Sequence, residues 1–388
     1  MTQTPGEIVV EARGLRRTRG TGAGAFELSL DALALRAGEV TAILGPNGSG
    51  KTTLLRALAG LDGGRGDGRG RVEAGERAGE RTGERGGLRI TRGPLTLVSQ
   101  RPVAFAGTVA HNVAVGLLGR GLPGSLRVGI IESALSRFGI ASLARHDART
   151  LSGGELRRLA LARAVVIEPS VLLLDEPFDD LDAEGQRQLS IDLLRAVRET
   201  GIALVVVTHD LRRALLLADR IVVLIAGAIA QQGSRDEVLR HPASPEVARI
   251  VGMTNLAEGI VVESDAGSSR IEIARGRTVV AGTSFPVDQR VWLGIRPEHL
   301  KIDVGKGEGL AIGRARVESF LDDGLATVVQ LELDGAIFTT HLLSGRGLAR
   351  RLRIGETVDL SVAPEQVHVR TDSNRGLRPS HDRISNPP

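Results

Sequence analysis

Three short apolar runs mark the first part of the chain: "EVTAILG" (39–45), "SVLLLDEP" (170–177) and "IALVVVTHD" (202–210). They are apolar without alternation, the pattern of strands covered on both faces in a parallel sheet. Between the last two, Leu189, Leu193, Leu194 and Val197 recur at helical spacing. "KTTLLRALAG" follows a glycine loop and predicts a helix closed by Gly60. Strands alternating with helices predict an α/β domain over residues 7–240.

The pattern breaks twice. Over 62–93 the chain is rich in Gly, Arg and Glu, and "GERAGERTGERG" (75–86) repeats with no apolar face. That segment is expected to be a solvated, mobile excursion. A glutamate accompanies almost every arginine, which argues against an RNA-binding reading. From 255 the runs become short and alternating, separated by turn clusters. "LATVVQLELDGAIFTTHL" (325–342) places Asp-Gly between two strands, a hairpin signal. Residues 255–371 are therefore expected to form a small all-β domain, a barrel. The tail 372–388 is expected to be disordered.

The composition narrows the function classes. The 388 residues are 41% hydrophobic, enough for two domains with a sizeable core. There is no cysteine, which excludes disulfides, thiolate metal sites and a catalytic thiol. "MTQTPGEIVVEARG" lacks a basic region followed by an apolar run, so no signal peptide is expected. The longest apolar run, "IVVLIAGAIA" (221–230), is half a membrane span. The expectation is a soluble chain, or one held at a membrane by a partner. A net charge of +4 and 2% aromatics give little support to nucleic-acid binding.

The chemistry-bearing motifs sit at the ends of the apolar runs. "GPNGSGKTT" (45–53) follows a strand and opens a helix, the setting a phosphate loop requires. Gly45, Pro46, Asn47, Gly48, Ser49, Gly50, Lys51, Thr52 and Thr53 would cradle phosphates with backbone N–H groups and the helix N-terminus. Lys51 would reach the terminal phosphates, and Thr52 would place its hydroxyl on Mg²⁺. Asp175, at the end of "VLLLD", suits a Mg²⁺ contact. Glu176 can orient water and accept its proton. Asp182 is placed to cap the following helix, alone or alongside a functional role. His209 ends a strand at the edge where ligands bind in such sheets. Gln100 ends the run "LTLVSQ". "LSGGE" (151–155) is a second glycine corner, and Ser152 with Glu155 forms a capping-box pattern.

In this order, the motifs resemble the ATP-binding cassette (ABC) family over residues 7–240. The resemblance implies a P-loop NTPase with a parallel-sheet core and a helical subdomain, using ATP and Mg²⁺. It implies Gln100 as a catalytic and metal-contacting Q-loop glutamine, "DDLD" as the D-loop with Asp182 near nucleotide, and His209 as the switch histidine. Two such subunits meet head to tail in this family. Ser152, Gly153, Gly154 and Glu155 would then contact the ATP held by the partner's phosphate loop, which gives the second glycine corner a purpose. Two departures stand out. Glu155 replaces the usual glutamine, and the adenine-stacking aromatic is missing, leaving Arg17, Arg19 or Phe26.

"VWLGIRPEHLKI" (291–302) resembles the regulatory TOBE domain of importer ATPases, an OB-like barrel. That resemblance implies a homodimer at the cytoplasmic face of a membrane. A separate permease would contact Gln100 and 101–117, a substrate-binding protein would act indirectly, and no nucleic acid would be bound. "QRPVAFAGTVAHNV" and "VARIVGMTNLAEGIV" are similar to molybdate or tungstate cassettes. Sugar, polyamine or ferric-iron import is the alternative cargo. A permease-free regulator or a nucleic-acid- or ribosome-associated ATPase is the alternative class. One cassette and no sustained heptads argue against the ribosomal type. His341 and Arg370 read as ordinary strand residues.

Overall fold

The computed structural model describes residues 4–20, 25–61, 88–90, 94–179, 181–274, 276–303, 310–322, 326–343 and 351–371. The chain divides into two compact units, the first ending at Leu239 and the second beginning at Arg240. No helix among the described residues is long and apolar enough to cross a membrane.

The first unit opens with β1 (Ile8–Arg19), β2 (Phe26–Arg36) and β3 (Val40–Leu44), then α1 (Lys51–Leu58). β4 (Leu88–Ile90), β5 (Leu95–Val98), α2 (Val109–Val115), α3 (Gly124–Arg137) and α4 (Gly153–Val165) follow. β6 (Val171–Asp175), α5 (Ala183–Thr200), β7 (Ala203–Val207), α6 (Leu211–Leu217), β8 (Arg220–Ile225), β9 (Ala228–Ser234) and α7 (Arg235–Arg240) complete the series. Among the described residues the strands form one sheet in the order β4-β1-β2-β9-β8-β3-β7-β6-β5. From β8 to β5 all neighbours are parallel. β3, β6 and β7 are buried at every position.

The two faces explain the unbroken apolar runs. Leu172 and Leu174 turn to a core filled by Val109, Val113, Leu135 and Leu159 of the helices. Val171 and Leu173 turn to the opposite core, filled by Leu54, Leu55 and Leu58 of α1 with β1 and β2. Alternate side chains leave a strand on opposite faces, so both parities must be apolar.

One expectation is corrected in part. Within 62–93, Leu88–Ile90 are not an excursion: they pair antiparallel with Val10, Glu11 and Ala12 of β1. The physical reason is that Leu88 and Ile90 alternate around Arg89, a period-two signal that the neighbouring glycines and arginines hide. Residues 62–87, 91–93 and 372–388 lie outside the described residues.

The second unit contains α8 (Pro245–Ile250) and β10 (Asn255–Asp265), β11 (Ser268–Ala274), β12 (Arg277–Ala281), β13 (Arg290–Ile295) and β14 (Lys301–Asp303). β15 (Leu310–Asp322), β16 (Ala326–Leu333), β17 (Ala336–Leu343), β18 (Thr357–Val362) and β19 (Val367–Thr371) follow. They form two sheets, β12-β11-β10-β13-β19 and β14-β18-β15-β16-β17. Val261, Ile271 and Leu293 of the first share one core with Val317, Val329 and Leu360 of the second. Asp334 and Gly335 form the turn between β16 and β17, with φ of 55° and 88°, both left-handed as a type I′ turn requires. Buried Asn255 ties the sheets together: its Nδ2 donates to Thr339 O at 2.8 Å, and its Oδ1 accepts from Thr339 N at 2.6 Å.

His368 in β19 yields a pH prediction. Its ring lies 5.1 Å from that of Trp292, and its Nε2 is 3.3 Å from Pro242 O. Burial pushes its pKa down to about 4, against the opposing hydrogen bond to Pro242. Arg370, His241 and Arg296 lower it further. The folded-state value lies below the unfolded one, so the unfolded chain binds the extra proton between about pH 6.5 and 4. This contribution is present in full above that window and is lost as pH falls through it, by up to about 3 kcal/mol. Thermal melts of the full chain, followed by the fluorescence of its sole tryptophan, should show Tm falling through this range. His368→Gln should flatten the fall, and an unchanged slope would count against this cause.

Candidate functional site

The loop between β3 and α1 is shaped by its glycines. A Cβ on Gly45 would collide with the Leu224 carbonyl oxygen. Gly50 caps α1 at φ 102° and lies against Phe26, so a side chain there would face both backbone strain and a clash. Lys51 is 9% exposed, and its Nζ donates to Gly45 O at 2.8 Å and Pro46 O at 2.9 Å. Burial lowers its pKa, while Glu176 and Asp175 raise it. The buried Ser49 hydroxyl has no hydrogen-bond partner. A buried ammonium, an orphaned hydroxyl and the N–H groups that open a helix fit a phosphate chain.

Asp175 closes β6 opposite this loop. Its Oδ1 accepts from the Thr52 hydroxyl at 3.3 Å. Burial raises its pKa, opposed by the Thr52 hydrogen bond, Lys51 and Arg56, while Asp179 adds to the rise. A buried carboxylate paired with a hydroxyl is a donor set that suits a hard divalent cation. The residues present therefore fit Mg²⁺.

Glu176 follows with φ 46°, left-handed and uncommon for a residue other than glycine. Its N–H donates to Val207 O at 3.0 Å. Its Oε2 lies 3.1 Å from His209 Nδ1 and accepts from His209 N at 3.3 Å. The Gln100 amide donates to Asp179 Oδ2 at 2.8 Å.

A cavity of about 660 Å³ gathers Asn47, Gly48, Gly50, Lys51, Thr52, Thr53, Gln100, Asp175, Glu176 and His209. Arg19 and Phe26 also line it, whereas Arg17 turns its guanidinium to Arg16 O. Gly45, Pro46 and Ser49 shape the loop without lining the cavity. Asp179, the first residue of "DDLD", lines it as well, whereas within that motif only Asp182 was expected near nucleotide. The acidic type of Asp179 carried no signal within "DDLD".

Ser152, Gly153, Gly154, Glu155 and Asp182 do not line this cavity. Ser152 caps α4 in a complete capping box. Ser152 N donates to Glu155 Oε2 at 2.9 Å, and the two side chains meet at 2.7 Å. These contacts hold the Glu155 carboxyl below its usual pKa range. Ser152 and Gly153 are exposed. Asp182 caps α5, its Oδ1 accepting from Gly185 N at 2.7 Å.

Fold and site together define a P-loop ATPase, with a phosphate loop between strand and helix and acidic residues at the end of a neighbouring parallel strand. Comparison with known proteins sharpens this class. Residues 29–179 match the ABC transporter family, and 293–369 match the TOBE domain. The molybdate/tungstate import ATP-binding protein of Pyrococcus horikoshii is 34% identical, over 88% of this chain and 94% of that protein. The spermidine/putrescine import ATP-binding protein of Mesorhizobium japonicum is 31% identical, over 96% of this chain and 100% of that one. The Ruegeria pomeroyi protein of the latter kind is 30% identical, over 86% of this chain and 88% of that protein. The chain belongs to the ABC transporter family, as an ATP-binding, ATP-hydrolysing importer subunit with a C-terminal TOBE domain.

Proposed function

We propose that the chain works as a head-to-tail homodimer in which ATP lies between the phosphate loop of one subunit and the Ser152–Gly154 corner of the other. One observation carries this reading. Lys51, Thr52, Asp175, Glu176 and His209 converge on one cavity, while Ser152 and Gly153 are exposed outside it. Each subunit then holds half of two sites. Residues 7–240 serve as the nucleotide-binding domain and 255–371 as the regulatory domain.

Lys51 exchanges its loop carbonyls for phosphate oxygens. Thr52 and Asp175 would hold Mg²⁺, with Gln100 as a further contact. When bound, that ion neutralises charge on the phosphates. Glu176 takes the proton of the water that attacks the γ-phosphorus as the bond to ADP breaks. His209 fixes the Glu176 carboxylate and contacts the γ-phosphate. Phe26 and Arg19 border the space left for adenine. Asp182 sits beside the shared nucleotide while capping its own helix.

The dimer would sit at the cytoplasmic face of a membrane against a separate permease, touching it through Gln100 and 101–117, with a substrate-binding protein acting upstream. The cargo reading is molybdate or tungstate, supported by the Pyrococcus relative. Polyamine import is the second reading, supported by relatives of nearly equal identity. Cells with and without the gene, grown in limiting trace metals, should differ in molybdenum or tungsten content. Unchanged metals with a fall in spermidine uptake would replace the first cargo by the second.

A further inference from the structure

Arg157 is a buried cation that the proposed mechanism leaves unused. It lies in α4 and is 3% exposed. One guanidinium nitrogen donates to Glu176 O at 2.9 Å, and the other donates to Gln100 O at 2.9 Å. A single planar fork thus joins the loop after β6 to the loop after β5. These two acceptors are backbone carbonyls of residues to which the proposed mechanism gives work.

The contact bears on the most strained point of the site. Glu176 holds φ 46°, a conformation that persists in a non-glycine residue only when its surroundings over-determine it. Its N–H is fixed by Val207 O, and its C=O is fixed by Arg157. With both backbone groups pinned, the carboxylate is aimed at His209. A buried guanidinium is costly unless its donors are satisfied, so the fork and the two loops hold one another in place.

The position of Arg157 in its helix gives the contact a direction. It lies three and four residues beyond Gly154 and Gly153, one turn along the same side of α4. The corner proposed to meet the partner's ATP and the fork that grips this subunit's own Glu176 are therefore parts of one rigid element. We infer that Arg157 is a positioning residue: it sets the backbone of Glu176 and Gln100 and transmits displacement of the α4 N-terminus to them. The inference rests on the role proposed for Glu176.

The test compares full-length wild type, Arg157→Met and Arg157→Lys in kcat, KM, ATP affinity and Tm, with Glu176→Gln alongside. Met keeps the stem and loses the fork. Its kcat should fall about a hundredfold, the usual effect of an ångström-scale misplacement of a catalytic group, with KM and ATP affinity near wild type. Lys keeps a cation that can reach one carbonyl and should recover part of the loss. A wild-type kcat in Arg157→Met overturns the inference. So does a fall in kcat matched by equal falls in ATP affinity and Tm, which marks a structural pillar only. Should the Met variant not fold, Arg157→Lys decides: a wild-type kcat there overturns the inference, and a lowered kcat at unchanged ATP affinity supports it. Wild-type turnover in Glu176→Gln would defeat the base assignment instead. An inactive Glu176→Gln beside a fully active Arg157→Met defeats the Arg157 inference alone.

Discussion

Glu176→Gln is expected to lower ATP turnover by about 10³-fold, the scale of a lost general base, while ATP still binds. Gln is nearly isosteric with Glu, so the left-handed backbone and its bonds to Val207 and Arg157 need not change. The amide cannot take the proton of the attacking water. With hydrolysis blocked, the closed pair should accumulate. The chain lacks cysteine, so a pair of cysteines placed beside the two glycine corners, at positions that contact neither ATP nor the α4 cap, can be added to this variant as reporters. A thiol cross-link between subunits should form with ATP and not without it. Turnover at the wild-type rate would remove Glu176 from its role. An ATP-independent cross-link, or none, would remove the head-to-tail arrangement.

Lys51→Ala is expected to weaken ATP binding by about a hundredfold, roughly 3 kcal/mol, as for truncation of one partner in a buried charge contact. The loss has two parts. The phosphates lose their nearest fixed cation, and the loop loses the Nζ bonds to Gly45 and Pro46 that hold its shape before nucleotide arrives. Equilibrium dialysis with ATP reads the effect directly. Unchanged affinity would mean that the phosphates lie elsewhere. Lys51→Arg should restore little, because a forked guanidinium does not fit where a single ammonium bridges two carbonyls.

Local features were legible in the sequence, and distant partnerships were not. The unbroken runs of β3, β6 and β7 announce strands covered on both faces, and the two cores confirm why both parities are apolar. "LSGGE" announces its capping box, and "LDGA" announces the β16–β17 turn, because each is settled within four residues. Gln100 and Asp179 are 79 residues apart, Arg157 and Gln100 are 57 apart, and Asn255 and Thr339 are 84 apart. No periodicity or spacing encodes such pairs, since the fold alone brings them together. β4 was hidden for a different reason: three residues of alternation are too few to stand out beside a charged, glycine-rich stretch.

In the homodimer proposed above, the Glu155 capping contact would bear on how long two subunits stay joined. The Ser152 hydroxyl meets the Glu155 carboxylate at 2.7 Å, and that carboxyl is held below its usual pKa. The corner proposed to receive a neighbour's phosphate thus carries a negative charge of its own. In the proposed homodimer, closure would bring like charges together and turn the serine proton from carboxylate to phosphate. Repulsion of this kind shortens the lifetime of the joined state and eases as added salt screens it. In the proposed homodimer, such a charge would favour rapid cycling over a long-lived closed state.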